Sequence, residues 1–336
     1  MKADIETPNS TNDPIFYDLE LPLQGVYHPL GFSVEIATNS DQVLLAAEES
    51  WGHFRKTVAE PPLQIRVAVL EGSSKALSVP TVRAQRNLLV RVADAANFSV
   101  SNMELGFSSC WLTRATAADR GYVRYYFLEG MGWDLLDQLY CTPIHGACVR
   151  LENRGVLLCG DSGAGKSSLS YACARKGWKF LSDDSTRLIR KSSRPFVVGN
   201  PFQIRFRDSA VELFPELRNR KTTRRIHGKM SIEVPTACMP AIKTITESSV
   251  DYIVFLKRGQ SGPPRLVPLS KERALSWFEQ VVNFREEEVR EAHRAALLNL
   301  LNSEMLELHY DDLEPAVALL ETMVGRNAAV PAISHA

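Results

Sequence analysis

Residues 155–188 read GVLLCGDSGAGKSSLSYACARKGWKFLSDDSTRL. An apolar run ends at Gly160, a glycine-rich turn follows, and helical periodicity begins at Lys166. Gly160, Asp161, Ser162, Gly163, Ala164, Gly165, Lys166 and Ser167 satisfy GxxxxGK[ST] between a strand and a helix, the context in which that spacing holds phosphate. Glycines let successive backbone N–H groups turn inward on phosphate oxygens, and the helix N-terminus adds partial positive charge. Lys166 is then expected to reach the β- and γ-phosphates, with the Ser167 hydroxyl placed for Mg²⁺ and Ser168 completing the cofactor-binding run.

Downstream, Leu169, Ala172, Cys173 and Lys176 fall at helical i, i+3, i+4, i+7 spacing, and Gly177 supplies the stop. WKFLSDD reads as a returning strand, parallel to and near the one that ended at Gly160, with Asp183 and Asp184 at its carboxyl end, where α/β sheets place ligands. One carboxylate there can hold a metal while the other takes a proton from an attacking hydroxyl. Upstream, IHGACVRL, ENRG and GVLLCG read as a hairpin. With Asn153 as the turn centre, His145 falls opposite Asp161, at the mouth of the loop.

The rest of the 336-residue chain frames this segment. Lys plus Arg and Asp plus Glu total 39 each, so no whole-chain field draws the protein to nucleic acid or anionic lipid. Six cysteines are scattered without CxxC pairs, which fits reduced core thiols and a cytoplasmic location. No signal-peptide pattern opens the chain and no apolar run is long enough to span a bilayer. Flexible ends are expected over residues 1–20 and 327–336, an α+β module over 21–140 and a catalytic domain over 141–326. In the module, residues 41–54 read as a helix, and 64–70, 86–95 and 121–130 as strand-like runs. Further on, 250–258 reads as a buried strand, followed by helices over about 272–282 and 286–301 and a closing strand and helix.

IHG, GDSGAGKS, KG closing the helix, and DD occur here in order. That series resembles the catalytic domain of HPr kinase/phosphorylase, a bacterial serine kinase whose core is similar to phosphoenolpyruvate carboxykinase; the resemblance covers roughly 141–260 and is strongest over 144–184. It implies an α/β fold, a P-loop-containing PEP carboxykinase/HPr-kinase-like core with a mixed β-sheet. It also implies His145 at the active site beside the acceptor, Asp183 as proton acceptor for a serine hydroxyl, and Asp184 helping with the metal. The family's glutamate–isoleucine–arginine element is matched only by QIRFRDS, where Gln203 replaces the carboxylate and Arg205 keeps the cation. An amide is a weaker Mg²⁺ ligand than a carboxylate, so the phosphorylase reaction is in question and HPr is not the expected substrate.

In FQIRFR, Arg205 and Arg207 alternate with Phe202, Ile204 and Phe206, which places the arginines on one strand face. Arg205 is either a bidentate phosphate clamp or a solvated residue. Residues 217–229, LRNRKTTRRIHGK, read as a basic lid over phosphate, or as a solvated loop, with Lys229 chosen as a phosphate contact. No aromatic residue interleaves the charges to stack bases, so nucleic acid is not the expected partner. The expectation is a kinase that uses ATP and Mg²⁺ on a hydroxyl of a protein, peptide or small molecule, as monomer or homo-oligomer. The alternatives are a small-molecule kinase of shikimate type and a non-catalytic nucleotide-binding switch.

Overall fold

The computed structural model describes residues 19–72, 78–224, 230–259, 262–281 and 287–328. The chain divides into two compact units, Met1–Leu139 and Tyr140–Ala336. Among the described residues, no helix is long and apolar enough to cross a membrane.

The first unit contains β1 (Leu23–Tyr27), β2 (Val34–Thr38), α1 (Asp41–Trp51), β3 (Leu63–Leu70), β4 (Thr81–Gln85), β5 (Leu88–Val92), β6 (Phe98–Asn102) and β7 (Phe107–Thr113). These strands form a mixed sheet in the order β1-β2-β3-β7-β6-β5-β4. Helices α2 (Arg114–Ala118), α3 (Arg120–Tyr122), a π-helical turn (Val123–Leu128) and α4 (Glu129–Leu139) follow. Residues 121–130, expected as a strand, are therefore helical. The reason is visible in burial: Val123, Tyr126 and Phe127 sit inside at i, i+3, i+4 spacing, and the Asp119 carboxylate caps the segment by accepting the Tyr122 N–H. The β preference of Val, Tyr and Phe is a preference for half-buried surface, and helix packing meets it equally well.

The second unit begins with β8 (Cys141–Leu151), β9 (Arg154–Cys159), α5 (Lys166–Arg175), β10 (Lys179–Ser182), β11 (Ser185–Ile189), β12 (Phe196–Gly199) and β13 (Gln203–Phe206). It continues with α6 (Ala210–Leu213), β14 (Thr222–Arg224), β15 (Met230–Pro235), β16 (Lys243–Thr244), β17 (Glu247–Ser249) and β18 (Tyr252–Arg258). The last elements are β19 (Arg265–Pro268), α7 (Lys271–Val281), α8 (Glu287–Leu300), β20 (Glu304–Tyr310) and α9 (Leu313–Ala328). The main sheet runs β17-β12-β11-β8-β9-β18-β20-β19, and β13-β15-β14 form a small sheet of their own.

Period-two alternation divides the central strands between two cores. Ala147, Val149, Val156, Leu158, Val254 and Leu256 pack in one core with residues of α5 and α9; Cys148, Leu157, Cys159, Ile253 and Phe255 pack in the other with residues of α7 and α8. Both faces are covered, so these strands are apolar throughout rather than alternating in polarity. Helix α5 stops by a Schellman motif: Trp178 N–H donates to Cys173 O, Gly177 N–H donates to Ala174 O, and Gly177 has φ +96°.

The strands differ from the sequence expectation in two details. The hairpin pairs Leu151 with Arg154 and Gly146 with Cys159, so its turn is Glu152–Asn153 and His145 falls in line with Gly160 rather than Asp161. Glu152 takes the left-handed φ (51°) that this two-residue turn needs. The strand after α5 runs parallel to β9, but with β8 between them, and it ends at Ser182, directly before the aspartates. The chain bends at Asp183–Asp184 and resumes as β11 along the same β8, where Ser185 pairs with His145. STRLI carries the β-branched and alternating apolar residues that prolong a strand, and buried Thr186 holds the bend by bonding Ser182 Oγ at 2.6 Å and Gly146 O at 2.7 Å.

The small sheet is anchored on α5 through Phe206, whose ring meets Tyr171 edge-on at 5.1 Å, while Tyr171 meets Phe214 at 4.8 Å. Phe206→Ala is expected to cost about 3–5 kcal/mol of stability and to loosen the arginines on either side of it. Chemical denaturation checks the first effect; a loss under about 1 kcal/mol would contradict this anchoring.

Candidate active site

The loop between β9 and α5 is built from conformations that only glycine tolerates well: Gly160, Gly163 and Gly165 have φ of +145°, +97° and +97°. Gly165 also lies against Tyr310, whose hydroxyl donates to Ala164 O at 3.0 Å and ties the loop to β20. Ala164 thus faces Tyr310 and helps pack the core beneath the loop. A cleft of about 760 Å³ opens over the loop, within the ~300–1,000 Å³ usual for small-ligand sites. Ser162, Gly163, Gly165, Lys166, Ser167, Ser168, His145, Asp183, Asp184 and Arg205 all line it. Gly160 and Asp161 line a smaller cavity of about 90 Å³ beside Trp277, whose Nε1 donates to Asp161 Oδ1 at 3.4 Å. Lys229 lies outside the described residues, as does the end of the basic segment; Arg218, Arg220 and Lys221 are exposed.

Lys166 is buried, and its Nζ donates to Gly160 O at 2.7 Å and Asp161 O at 3.3 Å and contacts His145 Nε2 at 3.0 Å. On the other ring edge, His145 Nδ1 lies 3.1 Å from Asp184 Oδ1. Where Lys166 is an ammonium it can only donate, so Nε2 accepts and Nδ1 faces Asp184, and the His145 ring links the loop lysine to a carboxylate. Burial lowers the proton affinity of Lys166, and Asp184 works against that shift. An anion in the cleft would restore what burial removes.

Asp183 is 8% exposed, and its Oδ2 accepts the Arg205 N–H at 2.6 Å. Burial pushes its carboxyl up to about 6; the Arg205 N–H and guanidinium pull it down, and Asp184 raises it. Between the ordinary value of 3.8 and about 6, the folded protein binds this proton more tightly than the unfolded chain does. Stability contributed by this group is therefore full at low pH and is lost as pH rises through that window. In protein free of nucleotide and metal, Asp183→Asn should be more stable than wild type at pH 7, by roughly 1–3 kcal/mol, with a smaller loss between pH 4 and 6. Denaturation curves of equal pH slope for the two proteins would contradict the burial argument.

The Gln203 and Arg205 side chains are committed to each other and to a carboxylate that sequence reading missed. Arg205 pairs across the small sheet with Glu233, with Nε to Oε1 at 3.4 Å, and Gln203 Nε2 donates to Glu233 Oε2 at 3.0 Å. An acid thus returns beside the amide, supplied by the neighbouring strand. Arg207, Arg258, Asp208 and Glu212 also line the cleft, and Arg207 reaches Ser162. Tyr310, Trp277 and Glu233 carry no local signal, because each reaches the site from a distant part of the chain. Among the described residues, no group of three or more His, Cys, Asp or Glu could hold a metal by itself. Mg²⁺ does not require one, since it commonly takes one or two protein oxygens with phosphates and water. Ser167 Oγ, 3.5 Å from Asp183 O, and the half-exposed Asp184 carboxylate, both on the cleft wall, fit that donor set.

No family profile matches the chain. A stretch of 60 residues is 38% identical to the HPr kinase/phosphorylase of Shouchella clausii (strain KSM-K16), covering 18% of this chain and 19% of that protein. The chain is related to HPr kinase/phosphorylase over that stretch. It spans about a fifth of the length of this curated relative. Among solved structures, the HPr(Ser) kinase/phosphatase of Coxiella burnetii aligns over 56% of this chain and 90% of its own, at 13% identity and a TM-score of 0.32.

Proposed function

We infer that the second unit is a P-loop kinase core of the HPr-kinase and PEP-carboxykinase kind, moving the γ-phosphoryl group of ATP to a hydroxyl of a protein, peptide or small molecule in the cytoplasm. The observation that carries this reading is Asp183: a buried carboxyl with a raised proton affinity, in the same cleft as the glycine-rich loop and Lys166. A nucleotide switch needs the loop but has no use for a base whose pKa approaches the working pH.

In this reading the loop N–H groups and Lys166 hold the phosphate chain, and Lys166 gives up its bond to His145 to do so. His145, anchored by Asp184, then faces the transferring group with Nε2. Asp183 accepts the proton of the attacking hydroxyl as the new O–P bond forms and the bond to ADP breaks. Its Oδ2 is fixed by the Arg205 N–H, which holds the carboxylate in one orientation. Ser167 and Asp184 would hold Mg²⁺, which when bound neutralises charge on the β- and γ-phosphates. Incubating the full chain with γ-labelled ATP, Mg²⁺ and lysate of its own organism should label an acceptor that mass spectrometry can identify. Bound ATP with no label transferred to anything would favour the switch instead.

A further inference from the structure

Two arginines follow each other at i and i+2 along the cleft wall, and they differ in what holds them. Arg205 is engaged by Glu233 and Gln203. Arg207, just beyond β13, is exposed and forms no ion pair with a carboxylate among the described residues; its Nη2 donates to the neutral Ser162 Oγ at 2.7 Å. The guanidinium lies over the loop itself, so that a Cβ added at Gly163 would stand 3.3 Å from Arg207 Nη1. Its charge also acts on Lys166, making proton binding there harder. Lys166, Arg207 and the glycine-rich loop therefore meet on one part of the cleft, with a hydroxyl as the stand-in partner of the more exposed cation. A guanidinium exchanging a neutral hydroxyl for a phosphate oxygen gains a charge-assisted bond in a planar fork suited to phosphate.

We propose that Arg207 is a second cationic contact to the donor's phosphate chain, releasing Ser162 when nucleotide enters and bonding the phosphates beside the loop. This rests on the loop being a nucleotide site. The resemblance to known kinases points to Arg205 at this strand, whereas the geometry assigns the mobile contact to its neighbour. Glu233 keeps Arg205 as the support of Asp183, through the Arg205 backbone N–H, and leaves Arg207 for the ligand.

Calorimetric titration of the full chain with Mg-ATP at several salt concentrations tests the assignment. Arg207→Ala should bind ATP about tenfold to a hundredfold more weakly than wild type and show a flatter salt dependence. Arg207→Lys should restore the salt dependence and part of the affinity, since it keeps the charge and loses the fork. The melting temperature of both variants should match wild type, because the side chain is exposed and makes one bond. If wild type binds ATP and Arg207→Ala binds it equally well, or weakly with unchanged salt dependence, the contact is absent and the kinase reading stands. If wild type binds no ATP, the nucleotide site itself is gone and the assignment falls with it.

Discussion

Asp183→Asn should slow phosphoryl transfer by about 10²–10⁴-fold, the usual contribution of a positioned general base, while ATP affinity does not fall, since the substitution removes a negative charge from beside the terminal phosphate. The substitution keeps an oxygen that can accept the Arg205 N–H and removes the negative charge together with the capacity to take a proton. The loop, Lys166 and Ser167 are untouched. Single-turnover kinetics with the identified acceptor separates the two quantities. A transfer rate within tenfold of wild type would show that the hydroxyl proton leaves by another route, with His145 the nearest candidate through its contacts to Lys166 and Asp184.

The second large effect is structural. Gly165→Ala should destabilise the protein by about 2–4 kcal/mol, combining the left-handed backbone penalty with overpacking, and weaken ATP binding more than tenfold. Gly165 has φ +97°, and an added Cβ would fall inside contact distance of the Tyr310 hydroxyl. Removing that hydroxyl with Tyr310→Phe costs its bond to Ala164, roughly 1 kcal/mol, but relieves the overlap. The double variant should therefore be more stable than additivity allows, by at least about 1 kcal/mol. Strict additivity would mean that the loop moves away from Tyr310 and that the strain lies in the backbone alone.

How much of this was legible in the sequence depended on whether the cause was local. The hairpin, the loop, α5 and its Gly177 stop follow from residues within a few positions of each other, and the structure has each of them. The hairpin register differs by one residue, because ENRG admits a turn centred on Asn153 as well as the two-residue turn Glu152–Asn153, and only the left-handed φ of Glu152 shows which is used. The strand before Asp183 and Asp184 ends where the sequence implies; that β11 follows at once depends on pairing to β8, held by the Thr186 bond to Gly146, 40 residues upstream. The aromatic run 121–130 is helical where its residue types suggest a strand, because its β preference and its helical spacing compete and burial decides between them. In the site, spacing and resemblance brought out His145, Lys166, Asp183 and Asp184, which the structure gathers on one cleft. In the sequence Arg207 is only the strand-mate of Arg205. Its reach to Ser162 depends on where the small sheet docks on α5, which no local pattern encodes.

The most direct measurement is a crystal structure of the full chain with Mn²⁺, as an anomalous substitute for Mg²⁺, and a non-hydrolysable ATP analogue. The account predicts the analogue's phosphates on the N–H groups of residues 160–167, the terminal one within reach of Lys166 and Asp183, and the metal between Ser167 and Asp184. Phosphates bound elsewhere in the cleft, or a terminal group out of reach of the Asp183 carboxylate, would contradict it.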